Sequence, residues 1–146
     1  LTVAPTDGTQ RALTEQMLKN VLQSIFNNSS ASADMVVAGG FNKQQISTFT
    51  GNATKMKDIS DGTLQASVDV YQSDFGEVSI FPSRFVRTRT VHVLQSDMLA
   101  VAYLRPFFMK DLASTGDYER KMMILEATLE VRNEKAHGVI ADLTTS

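Results

Sequence analysis

From Met123 onward every second residue is apolar or small. Leu125, Ala127, Leu129 and Val131 continue the series, with Glu126, Thr128, Glu130 and Arg132 beside them. This alternation constrains the fold more than any other stretch, because the composition of the same segment argues the other way. "ERKMMILEATLEVRN" is rich in Glu, Lys, Met, Leu and Ala, all good helix formers. A helix would have to bury Glu126 or Arg132 along with the apolar set, whereas a strand sends alternate side chains to opposite faces. Only Met122 and Ile124 break the period of two. The spacing predicts an extended segment over 119–133, a turn at "NEKAHG" and a last strand at "VIADL".

Upstream the period is first helical. In "TEQMLKNVLQSIFNN", Leu18, Val21, Leu22, Ile25 and Phe26 join Leu13 and Met17 on one face, and Glu15, Lys19, Asn20 and Gln23 take the other. Thr14 is placed as N-cap, with Leu13 and Leu18 as a hydrophobic staple. "MVVAGG" reads as a short buried strand and "FNKQQISTF" as a second helix. Asn42 is its expected cap, Gln45 the reciprocal partner, and Phe41 with Ile46 the staple. Residues 51–67 are polar and aperiodic, which predicts a long loop.

The period then becomes two. "VDVYQSDFGEVSIFP" reads as a hairpin turning at "SDFG", with Val68 and Val70 alternating with Asp69 and Tyr71. "TVHVL" and "MLAVAYL" read as strands around "QSD", and "RPFFMKDLASTGD" as a connection in which Pro106 holds Arg105 extended. The fold class expected is α+β, a mixed sheet flanked by helices.

Composition narrows the function classes. Fourteen basic and 16 acidic side chains give a net charge of −2, so no global field favours a nucleic acid or a membrane surface. The chain has no cysteine, which removes disulfides and thiolate metal clusters. No apolar run approaches the roughly 20 residues that span a bilayer, so no membrane partner is expected. "LTVAPTDGTQ" lacks the basic start and apolar block of a signal peptide, and Leu1 in place of Met reads as the cut end of a longer chain.

Candidate chemistry is sparse. His92 lies between Val91 and Val93 and is expected on a solvent face; His137 stands beside Gly138 in a turn. Neither has a second ligand at metal-binding spacing. There is no GxSxG elbow or SxxK pair, and "AGG" and "DG" lack the spacing that cradles phosphate. "KDISDG" brings Asp58 and Asp61 to a glycine without the alternate ligands of a calcium loop. "RFVRTR" is denser: Arg84, Arg87 and Arg89 are expected at a sheet margin. They suit phosphate or the carboxylates of a neighbouring chain, or else form a solvated face. Two rival readings follow, a hydrolase or transferase using His137 with Asp117 or Glu134, and a nucleic-acid binder using the three arginines. No catalytic residue, cofactor or metal ligand is assigned.

Taken in order, "LTEQMLKNVLQSIFNN", "ADMVVAGGFNKQQISTFTGN", "VDVYQSDFGEVSIFPSRFVR" and "MLAVAYLRPFFMKDLASTGDYERKMMILEATLEVRNEKAHGVIADLTTS" resemble the major capsid proteins of tailed bacteriophages and prophages. That family is of the Hong Kong ninety-seven capsid type. The resemblance runs from about residue 13 to residue 146. It implies a structural virion protein that forms pentamers and hexamers of an icosahedral head around double-stranded DNA, assembled in the bacterial cytoplasm. It implies homo-oligomeric contacts, other virion proteins as partners, and non-specific contact with packaged DNA. By resemblance, residues 1–104 form an axial-domain-like region and 105–146 are strands returning to the peripheral domain. The family's N-terminal arm, extended loop and most of its spine helix have no counterpart among these residues. A peripheral strand pair without that helix is expected to leave Leu125, Leu129 and Val131 uncovered.

Overall fold

Leu18, Leu22 and Ile25 form one buried stripe along α1 (Glu15–Asn28), at the spacing that brings successive helical turns onto one side. The computed structural model that contains this helix describes residues 6–29, 32–49 and 69–145. The loop read at 51–67, with Asp58 and Asp61, lies outside the described residues. Thr14 is the N-cap by position, though its side chain makes no capping bond; its carbonyl accepts from the Met17 amide at 3.1 Å.

The stripe packs on a five-stranded mixed sheet. Its strands are β1 (Met35–Ala38), β2 (Val70–Ser73), β3 (Gly76–Pro82), β4 (Val91–Leu94) and β7 (Gly138–Ile140), in the order β2-β3-β1-β4-β7. β1 runs parallel to β3, and the other pairs are antiparallel. Register places Val36 beside Ile80 and Val93, and Ala38 beside Val91, which faces Ile140 on its other side. These residues and Val78 are buried with the α1 stripe, Leu13, Ile46 and Leu143 in one core. Each Val, Leu or Ile side chain so withdrawn from water contributes about 1.5–3 kcal/mol. In β2 it is Tyr71, opposite Val78, that turns inward, while Val70 is 46% exposed. Ser73 and Gly76 close the β2–β3 turn at a φ of +132° on Gly76, which a side chain would strain.

Three expectations need correction here. The second helix, α2 (Gly40–Ser47), starts earlier than read, with Gly39 as N-cap. Asn42 therefore lies inside it, buried, and its amide donates to the Thr88 carbonyl at 2.7 Å in place of capping. "RPFFMKDL" is not a connection but the second half of β5 (Leu99–Leu112), paired antiparallel with β6 (Arg120–Val131). Pro106 is tolerated because the ladder shifts register on either side of Arg105, where a missing N–H costs no bond. The last strand does not join β6; β7 pairs with β4.

The chain divides into two compact units, Asp97–Arg132 and the remainder. The expected division between residues 104 and 105 lies within β5. Within Asp97–Arg132, Leu99, Val101 and Tyr103 stand opposite Val131, Leu129 and Ala127, and Met109 opposite Met123. On the other face Arg105 makes a two-point ion pair with Glu126, its Nε at 2.7 Å. Val101, Tyr103, Met109, Met123, Leu125, Leu129 and Val131 are all exposed. The extended conformation expected for 119–133 is present as β6.

Candidate functional site

The arginine-bearing loop connects β3 to β4 and is pinned along its length. The Ser83 amide donates to the Ala38 carbonyl at 2.8 Å, and the Ser83 hydroxyl accepts the Phe85 amide at 3.3 Å. Thr90 donates to the Arg87 carbonyl from both amide and hydroxyl, each at 3.0 Å. Asn42 holds Thr88, and the Leu143 amide donates to the Arg89 carbonyl at 3.1 Å.

The three arginines are not equivalent. Arg87 reaches one carboxylate oxygen of Asp7 at 2.5 Å, and Arg89 pairs with the other. Asp7 begins a segment strapped to the end of the chain. The Gly8 amide donates to the Asp142 carboxylate at 2.8 Å, Arg11 to the Asp142 carbonyl at 2.9 Å, and Thr144 to the Arg11 carbonyl at 3.0 Å. Asp142 sits at a φ of +59°, a left-handed conformation that aspartate tolerates better than most residues. Arg84 makes no ion pair or side-chain hydrogen bond among the described residues. Beside it Phe85 is 93% exposed. The arginine cluster was legible in the sequence and the phenylalanine between its members was not, since nothing in "SRFVR" separates an exposed ring from a buried one.

A second feature lies where α1 meets β7. Val21, Ser24, Ile25 and Asn28 of the helix face Glu134, Lys135, His137, Gly138 and Val139 across a groove with about 600 Å³ of free volume. Asn133 caps the short helical turn Glu134–Ala136 by accepting the Lys135 amide at 3.1 Å, which presents Glu134 outward. The His137 Nδ1 accepts from the Gln95 amide at 3.3 Å, so its hydrogen sits on Nε2. That Nε2 is buried and has no partner among the described residues.

This arrangement is poor in chemistry. The His137 nitrogen that a carboxylate would orient is occupied by backbone, and neither Glu134 nor Asp117 bonds the ring among the described residues. Asp117 belongs to the Asp97–Arg132 unit. His92 is half-buried on β4, on the face opposite Val91 and Val93. Among the described residues no group of three His, Asp or Glu is placed to hold a metal ion, and no helix is long and apolar enough to cross a membrane. The strongest electrostatic perturbation is structural. Burial, reinforced by a 3.0 Å hydrogen bond to Glu15, pushes the Tyr71 phenol up to about 12.

Comparison with known proteins then supplies a direct finding. The family model described as SU10 major capsid protein matches residues 1–144. A search of the curated proteins finds no match.

Proposed function

This chain belongs to the SU10 major capsid protein family, and from that membership we propose that it works entirely through surfaces shared between copies. It is a phage major capsid protein, a structural and generally non-enzymatic class that self-assembles into a shell and resides in the virion. The finer reading is that copies form pentamers and hexamers of an icosahedral head, built in the bacterial cytoplasm and enclosing double-stranded DNA through non-specific contact. In that reading residues 1–104 take the axial position of a Hong Kong ninety-seven type subunit and residues 105–146 return to the peripheral one.

The hairpin carries this conclusion. Two strands alone are marginal in water, and a hydrophobic face needs a third strand, a helix or another subunit against it. Here Val101, Tyr103, Met109, Met123 and Leu129 all lie exposed. A hairpin so apolar is built to be covered within a larger body. By contrast, the nucleic-acid alternative loses two of its three guanidinium groups to Asp7.

The test is sedimentation of the expressed capsid protein, followed by nuclease treatment. Fast-sedimenting particles that protect double-stranded DNA after packaging support the reading. A protein that stays at the size of one subunit under all assembly conditions contradicts it.

A further inference from the structure

We infer that Phe85 anchors a head-to-tail contact between copies: the loop of residues 83–90 of one subunit seats in the α1–β7 groove of the next. The phenyl ring packs on Val21 and Val139, and Arg84 faces Glu134. The inference rests on the shell-forming reading above and assigns residues to one of its contacts.

Four observations converge on it. First, a phenyl ring at 93% exposure forgoes almost all of its burial in the free subunit, so a surface that covers it recovers that stabilisation. Secondly, the loop is already held by bonds from Ala38, Asn42 and Leu143. Docking therefore costs little ordering entropy, the condition under which one aromatic dominates an interface. Thirdly, the groove offers apolar walls from both α1 and β7, and its free volume of about 600 Å³ admits a phenyl ring with its neighbours.

The fourth observation is charge. Arg84 on the loop and Glu134 at the rim of the groove both lack ion-pair partners among the described residues, and they are of opposite sign. A guanidinium that meets a carboxylate while a neighbouring ring excludes water contributes more than an exposed surface pair.

The placement of the two features dictates the symmetry. The loop leads into Val91, which pairs with Ile140, whereas the groove opens at Gly138, which pairs with Val93. The two patches thus sit toward opposite ends of β7 in one unit. Used head to tail, with one loop and one groove per contact, the contact is heterologous, and repeated by a closing rotation it forms a ring. An isologous dimer would instead need one patch that complements itself.

The test uses the capsid protein under assembly conditions. Phe85→Ala is expected to leave the melting temperature of the unassembled subunit unchanged, because the ring touches so little of its own chain, and to lower particle yield at least tenfold. Arg84→Glu and Glu134→Arg are each expected to lower yield, and their combination to restore it. Since the chain has no cysteine, Phe85→Cys with Val139→Cys adds an unambiguous readout. Oxidised particles of this pair should run as a ladder of linked subunits, and Phe85→Cys with Val70→Cys should not. Normal shells from Phe85→Ala, or a charge swap that fails to rescue, overturn this contact and leave the capsid reading standing. Absence of shells from the unaltered protein overturns the capsid reading itself.

Discussion

Gly138→Ala should destabilise the five-stranded unit through a single overlap. A methyl group built on Gly138 would lie 2.4 Å from Val21 Cγ1 and 3.5 Å from Ile25 Cδ1. Carbon atoms in contact prefer about 3.5–4.0 Å, so the shortfall against Val21 is about 1.1 Å. Val21 cannot swing aside cheaply, because a β-branched side chain in a helix has one strongly preferred rotamer. α1 must therefore lift from β7, and overpacking of this kind costs about 1–3 kcal/mol. The lost backbone freedom of glycine in the unfolded chain returns about 0.4–1 kcal/mol. The net cost is about 1–2 kcal/mol, which lowers the melting temperature by about 3–8 °C. Thermal unfolding of Gly138→Ala, Val21→Ala and the double variant measures it. Val21→Ala removes the obstructing methyl, so the double variant should be more stable than additivity predicts by about 0.5 kcal/mol or more. An unchanged melting temperature in Gly138→Ala, or strict additivity, refutes the argument.

Other consequences follow from named contacts. Tyr71 ionises near 10 in the unfolded chain and near 12 in the fold, so the folded state keeps its proton to higher pH. Stability should hold below pH 10, fall as pH rises toward 12, and lose that fall in Tyr71→Phe; a denaturation series across this range checks it. Asp7→Asn should speed hydrogen exchange at the Arg11 and Thr144 amides by up to about fivefold, with less effect at high salt, whereas unchanged rates would show that the strap holds without its ion pairs. Leu129→Asp should suppress concentration-dependent light scattering of the isolated chain, since Leu129 lies on the uncovered hairpin face. Strictly monomeric behaviour of the unaltered chain at every concentration would count against that face being adhesive.

The alternation from Met123 to Val131 was readable because both faces of β6 obey one period from Leu125 to Val131, with only Met122 and Ile124 out of step. Helix α1 was readable because its stripe and its polar face stay in phase for three turns. Partnership was not readable: β7 is three residues long, and nothing in "GVI" says that it pairs with β4 and not with β6. β5 was cut short at Pro106 because the register shifts that accommodate a proline are a property of the ladder, not of the local sequence. Asn42 carried a cap signal, but two preceding glycines let the helix start earlier and freed its amide for Thr88. At the site, the ion pairs of Arg87 and Arg89 join residues 80 and more positions apart, beyond the reach of any motif.

The central claim is that this chain acts by covering the surfaces of its own copies. An electron cryomicroscopy map of assembled particles tests it most directly. The account predicts rings of subunits in which the five-stranded unit fits the density, the β5–β6 hairpin is covered, and a neighbour's loop fills the groove between α1 and β7. Particles in which the hairpin and the groove both face open solvent would contradict it.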